Sequence, residues 1–220
     1  MIAVEVLLIA LLIVLGYVAG CFYLNEIKWK AADWRVCGLD KSRIVYLIFS
    51  GATGIYLLYI LHGLYQTEVV EQLLMICLIF TLLPVAVVDS QVKKIPNQFL
   101  LVALAVRIVL YVPDFLLDLQ KALFGIKEDI LAAAIMGGFF FALFLIFKNS
   151  IGMGDVKLFA LMGLYQGLES VINSIFFSLF ASFLVAIVLL ITKKKKRTDA
   201  IPFGPCIFLG TMIALRLTGV

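Results

Sequence analysis

The amino-acid sequence predicts an all-α membrane protein, a polytopic bundle of about eight transmembrane helices with both termini outside. Of its 220 residues, 64% are hydrophobic and only 15% are charged, whereas a soluble domain is roughly 45–50% apolar and about 25% charged. The apolar residues lie in long runs, and one helical crossing of the bilayer core needs about 20 of them. The net charge of +4 comes mostly from short stretches between these runs, which indicates membrane topology and predicts no nucleic-acid partner.

Eight apolar runs define the predicted helices. The first run lacks the basic start of a signal peptide and is longer than the apolar region of one, so we predict a retained helix. Between the fourth and fifth runs, residues 115–126 have the pattern of a short amphipathic helix on the outer surface. No internal repeat stands out, and a single integral membrane domain, 1–220, is the simplest description. The runs are 2–24, 44–65, 71–88, 99–112, 130–147, 156–168, 171–192 and 201–217.

Lysine and arginine mark the cytoplasmic loops, because positive residues near the ends of spans resist translocation. They fill the odd-numbered loops, whereas the even-numbered loops hold mostly acids, which predicts a multi-pass protein embedded in the lipid bilayer of the inner (cytoplasmic) membrane. The run 193–197 is interpreted as an anchor to anionic lipid, with a docking site for a partner as the other interpretation. The basic residues are Lys28, Lys30, Arg35, Lys41, Arg43, Lys93, Lys94, Lys148 and 193–197; the acids are Glu68, Asp114, Asp118, Glu128, Asp129 and Glu169.

The cysteines and four of the ionisable residues have purely structural explanations. The four cysteines are scattered without a C-x-x-C pair, which predicts small buried side chains and neither a zinc site nor a disulfide framework. Four ionisable residues lie near predicted helix ends, where anchoring at the interface or a local hydrogen bond accounts for them. The cysteines are Cys21, Cys37, Cys77 and Cys206, and the ionisable residues are Glu5, His62, Arg107 and Arg216.

Two aspartates need a different explanation. Asp89 lies at the cytoplasmic end of the third predicted helix and Asp155 at the cytoplasmic start of the sixth, so the topology places both at one membrane depth. If two carboxylates approach closely there, repulsion and partial desolvation keep one proton on the pair. One member can then act as a general base on water while the other protonates or polarises a scissile carbonyl. This chemistry is aspartic peptide hydrolysis, which needs no metal and no cofactor.

Glycines precede the second aspartate. Gly152 and Gly154 lack a Cβ, so they permit an unwound helix start and the close approach of a substrate strand. The same Gly-x-Gly pattern is also typical of a simple turn that caps a helix, with Asp155 stabilised by the helix dipole. Both interpretations stay open at this point.

Three segments of the chain, 89–97, 152–163 and 201–210, resemble the prepilin peptidases, which are type IV leader peptidases and GxGD-type intramembrane aspartic proteases. The resemblance implies that Asp89 and Asp155 are the catalytic pair. Lys157 follows Asp155 by two residues and is interpreted either as tuning local charge or as an interfacial anchor. The other residues that the resemblance places in active-site motifs are Gly152, Met153, Gly154, Ile95, Pro96, Asn97, Pro202, Phe203, Gly204 and Pro205.

The resemblance also implies a reaction and a partner. Enzymes of this kind cut the short basic leader from prepilin-like precursors at the cytoplasmic face, just before a hydrophobic segment. Long-form members carry a cytoplasmic insertion with paired cysteines, and some of them N-methylate the new N-terminus. The first loop of this chain holds one cysteine, Cys37, so the sequence resembles a short form and gives methyltransferase activity no support.

Two other function classes fit parts of the sequence. A small proton- or cation-coupled transporter would use the two membrane-edge aspartates, but it leaves the segments 95–97 and 202–205 unexplained, and no inverted repeat is found. A GxGD protease of the presenilin or signal-peptide-peptidase type matches at 152–155. In that type a Tyr usually precedes the first aspartate, whereas Val88 precedes Asp89 here.

Overall fold

The computed structural model describes residues 2–28, 41–65, 69–117, 119–147, 151–192 and 202–218, and within these ranges it contains helices and no strands. The predicted helical membrane bundle is therefore confirmed. A seven-residue π-helix, Tyr59–Tyr65, continues α2. The predicted helix at 115–126 is not a separate element, because its described residues, 115–117 and 119–126, belong to the end of α4 and the start of α5. The helices are α1 Ile2–Lys28, α2 Lys41–Leu58, α3 Val69–Val92, α4 Asn97–Leu117, α5 Leu119–Ile146, α6 Met153–Ile191 and α7 Gly204–Thr218.

Five of the described helical stretches are long and apolar enough to cross a membrane. They are Tyr46–Leu64, Val69–Val92, Asn97–Leu116, Ala122–Ile146 and Met153–Ile191. Two shorter apolar helices, Glu5–Gly20 and Gly204–Thr218, accompany them. Several basic residues that are predicted to mark cytoplasmic loops lie outside the described residues, namely Lys30, Arg35, Lys148 and 193–197. The side chains of Cys21 and Cys37 lie outside them as well. The other two cysteines, Cys77 and Cys206, are buried free thiols, as predicted.

Helix α6 is two helical segments joined at Gly167. This residue has φ 70° and ψ −178°, which is not a helical conformation. Phe159 before the break packs on Phe203, with ring centroids 5.8 Å apart, and Ser182 after it hydrogen-bonds Cys206. A straight helix would separate residues 159 and 182 by about 34 Å, so the break bends α6 until both segments contact the start of α7. The sixth and seventh predicted runs correspond to these two segments.

The chain forms two compact units, Met1–Thr67 and Glu68–Val220. In the first unit, α1 packs on α2, and the rings of Tyr17 and Tyr46 lie 6.2 Å apart. Glu5 is buried and hydrogen-bonds His62 in the π-helix. The sequence predicted interfacial anchoring or a local hydrogen bond for these residues, and the bond that forms spans 57 residues. The prediction of one domain, 1–220, stays a prediction.

The second unit holds α3 to α7. Small residues let its helices approach closely, as is common where helices pack inside membranes. A Cβ at Gly163 of α6 would lie 2.9 Å from the main chain of α5 at Ala132 and Ala133, and one at Gly210 of α7 would overlap Ser178 of α6. Helix α3 is buried along most of its length as far as Asp89, whereas its last three residues, 90–92, are exposed or half-buried. Asp89 is thus the last buried residue of this helix and is covered by neighbouring helices.

Candidate functional site

Asp89 is held by the start of α7. It lies near the end of α3 with 6% of its surface exposed, and its Oδ2 accepts a hydrogen bond of 2.7 Å from the main-chain N–H of Gly204. The main-chain N–H of Phe203 also hydrogen-bonds this carboxylate. The first N–H groups of a helix have no partner within the helix, and a carboxylate is well suited to satisfy them. A side chain of α3 therefore caps α7.

The segment 202–205 is shaped for this close approach. A Cβ at Gly204 would lie 3.0 Å from the Cβ of Asp89 and 3.1 Å from the Cα of Ala86, so a larger residue would push α7 away from α3. Pro205 occupies the first turn of α7, where a missing N–H costs little. Pro202 precedes the helix. The main-chain N–H of Phe203 bonds the Asp89 carboxylate, and its ring packs on the ring of Phe159.

Asp155 caps its own helix. Gly152 is the extended residue before α6, with φ −80° and ψ 142°, and its main-chain N–H donates to Asp155 Oδ2 at 3.1 Å. In return, the main-chain N–H of Asp155 donates to the carbonyl of Gly152 at 3.0 Å. The capping interpretation of the Gly-x-Gly pattern thus describes the local geometry. Asp155 is only partly buried, and the neighbouring Met153 is 40% exposed.

The two aspartates lie within electrostatic range of each other. Each carboxylate sits at a helix N-terminus, Asp89 at that of α7 and Asp155 at that of α6. Their surroundings differ, because Asp89 is buried and Asp155 is partly open. In the described part of the chain, no three His, Cys, Asp or Glu side chains cluster so that they could hold a metal ion. The arrangement is a pair of acids that interact electrostatically, one buried and one partly open.

The segment 95–97 joins the site from the turn between α3 and α4. Ile95 packs against Gly154, where a Cβ would come within 2.9 Å of the Ile95 Cβ. Asn97, the first residue of α4, accepts a hydrogen bond of 3.1 Å from the Lys157 ammonium group. Pro96 between them is buried. Lys157 thus bonds across two segments that are 60 residues apart in sequence, a contact that neither interpretation of this residue predicted.

The structure also contains a polar cluster that the sequence did not predict. Arg107 is 4% exposed and forms an ion pair with Asp129 of α5, although Asp129 was assigned to an outer loop. Tyr111 donates a hydrogen bond to the same carboxylate. A lone arginine inside the run 99–112 was the available signal, because a charge in a membrane helix needs a partner.

Fold and site together define a polytopic helical membrane protein with two interacting aspartates. The chain belongs to the type IV leader peptidase family, which matches residues 73–191. The match includes both aspartates and the segments 95–97 and 152–157, and it ends before 202–205.

Two curated proteins are similar to this chain. The prepilin leader peptidase/N-methyltransferase of Bacillus subtilis (strain 168) is 28% identical over 137 residues, covering 60% of this chain and 51% of that protein. The type 4 prepilin-like proteins leader peptide-processing enzyme of Escherichia coli O78:H11 (strain H10407 / ETEC) is 41% identical over 70 residues, covering 32% and 24%. The chain thus spans about half of the first relative and a quarter of the second. No solved structure matches it.

Proposed function

We propose that the chain is an intramembrane aspartic endopeptidase that removes the short basic leader from prepilin-like precursors. The observation that carries the proposal is that Asp89 and Asp155, both within the residues that match the type IV leader peptidase family, each cap a helix N-terminus and lie within electrostatic range of each other. The printed names of both relatives describe leader-peptide processing of prepilins, which supports this substrate class. We propose one peptidase domain over 1–220, which includes the residues 73–191 that match the family.

The proposed mechanism uses the two carboxylates in complementary roles. One takes a proton from a water molecule, whose oxygen attacks the scissile carbonyl carbon, and the other gives a proton to the carbonyl oxygen. Collapse of the tetrahedral intermediate breaks the C–N bond and the new amine takes up a proton. Hydrogen bonds to main-chain N–H groups fix the Oδ2 atoms of Asp89 and Asp155, so little reorientation is needed during the reaction.

The proposed site faces the cytoplasm. Lys93 and Lys94 lie four and five residues beyond Asp89 and are exposed, and basic residues favour the cytoplasmic side of a span. A basic leader stays on that side for the same reason, while the hydrophobic segment behind it enters the bilayer. The bond between leader and hydrophobic segment then lies at the depth of the two aspartates. We propose peptidase activity alone, because the carboxylates of Asp89 and Asp155 supply the general acid and general base that hydrolysis needs.

The test is cleavage of a prepilin-like precursor, with a short basic leader before a hydrophobic segment, co-expressed with the chain. We expect Asp89→Asn and Asp155→Asn each to lower cleavage by at least about a thousandfold, since both carboxylates are needed for proton transfer. Glu71→Gln, which changes an exposed acid in the first turn of α3, at the opposite end of that helix from Asp89, is the control and retains cleavage. Full cleavage by either active-site variant, at normal protein levels in the membrane, would overturn the proposal.

A further inference from the structure

A buried polar cluster joins three helices at a distance from the aspartates. Arg107 of α4 pairs with Asp129 of α5, and its guanidinium lies 3.9 Å from the ring centroid of Tyr111. Its Nε donates a hydrogen bond of 2.7 Å to the main-chain carbonyl of Leu164 in α6. Leu164 follows Asp155 by nine residues, about 14 Å along a helix. The cluster is therefore separate from the candidate active site but attached to the same helical segment.

Stability alone explains this cluster poorly. Charged pairs are expensive to place inside a membrane, and apolar side chains often hold helices together as well or better. The Nη1 of Arg107 is also buried without a hydrogen-bond partner among the described residues. The side-chain oxygen Oε1 of Gln166, beside the break in α6, is likewise buried without a hydrogen-bond partner among the described residues. Each buried polar group of this kind needs an explanation, and the contact of Arg107 with α6 supplies one.

The carbonyl that Arg107 contacts belongs to the break in α6. In a continuous helix the N–H of Leu168 would donate to the carbonyl of Leu164, but the non-helical Gly167 displaces it. Arg107 supplies the missing donor. The next residue, Tyr165, donates its hydroxyl to the carbonyl of Ala103 in α4 at 2.6 Å. Two neighbouring residues thus fix the end of the segment 153–166 to α4.

We propose that Arg107 is a positioning residue for the peptidase: through Leu164 it fixes one end of the helical segment 153–166, whose other end carries Asp155. A helix of this length moves as a rigid rod, so a shift at Leu164 is transmitted to the carboxylate. Displacing a reacting group by about 1 Å can lower a rate by about a hundredfold. The role in catalysis rests on the function proposed above, whereas the anchoring of the segment does not.

The test removes both charges together, so that neither is left unpaired. In the double variant Arg107→Met with Asp129→Leu, we expect kcat for the precursor to fall at least about tenfold while KM stays within about twofold. Amide hydrogen exchange should become faster across 153–166 and stay unchanged across 168–191. Arg216→Met removes an exposed arginine in the last turn of α7 and is the control for loss of a positive charge.

The two measurements separate the possible outcomes. A folded double variant with wild-type kcat and wild-type exchange across 153–166 overturns the proposal. If the double variant does not fold, Arg107→Lys replaces it, because lysine keeps the charge beside Asp129 but lacks the Nε–H that reaches Leu164. Exchange that rises equally in all helices of this variant, or not at all, also overturns the positioning role. A wild-type chain that cleaves nothing refutes the proposed peptidase, while exchange still tests the anchoring.

Discussion

Asp89 has two roles in our interpretation, and two substitutions separate them. Asparagine keeps a side-chain oxygen that can accept the hydrogen bond from Gly204 but cannot exchange protons as a carboxylate does. Alanine removes both abilities. We therefore expect Asp89→Asn and Asp89→Ala to abolish cleavage equally, and only Asp89→Ala to weaken the attachment of α7 to α3.

The magnitude follows from the geometry. The bond between Gly204 N and Asp89 Oδ2 is 2.7 Å long and buried, and replacing a capping Asp or Asn by alanine costs about 0.5–2 kcal/mol. A buried N–H left without a partner costs about 1–3 kcal/mol. We expect Asp89→Ala to be about 1–2 kcal/mol less stable than Asp89→Asn, which is roughly a five- to thirtyfold change in the ratio of folded to unfolded protein.

Denaturant titration of the purified variants in one detergent measures this difference, with precursor cleavage measured in parallel. Equal unfolding free energies for the two variants would refute the capping role of Asp89. Cleavage by Asp89→Asn would refute the catalytic role and leave the capping role intact.

Two glycine substitutions test the backbone of the site and of α6. Gly154→Ala places a Cβ 2.9 Å from the Cβ of Ile95, so we expect a loss of about 1–3 kcal/mol in the free energy of unfolding and lower cleavage. Gly167→Ala forces a side chain into a conformation at φ 70°, and we expect a loss of about 1–3 kcal/mol. The control is Gly138→Ala in α5, where a Cβ meets nothing within 4 Å and helix propensity favours alanine by up to about 1 kcal/mol. Stability of Gly154→Ala or Gly167→Ala equal to that of the control contradicts the corresponding reason.

Much of the fold follows from the order of apolar and basic residues. Each described helix coincides with one predicted run, and α6 with two, because apolar length and flanking charge determine where a chain crosses a bilayer. The helix ends were less predictable. Residues 115–126 contain a mixture of polar and apolar side chains that is compatible with a surface helix, and only the structure shows that 115–117 extend α4 and 119–126 begin α5.

For the candidate site, the sequence indicated which residues share a membrane depth but not which contacts they make. The spacing of Asp89 and Asp155 relative to basic loops placed both at one depth, and the structure brings them within electrostatic range. The hydrogen bond from Gly204 to Asp89 spans 115 residues, and the one from Lys157 to Asn97 spans 60. Such pairs depend on how helices are arranged around each other, which residue order along one chain does not specify.

The hydrogen bond between α3 and α7 has a consequence for synthesis. Among the described helices, α7 is the last to leave the ribosome, so α3 reaches the membrane long before the N–H groups that Asp89 caps. A chain interrupted before residue 202 would contain both aspartates, but Asp89 would lack the main-chain N–H groups of Phe203 and Gly204 that it caps. The hydrogen bonds that fix Asp89 therefore form only after α7 has entered the membrane. A partly made chain does not yet hold Asp89 in its final position.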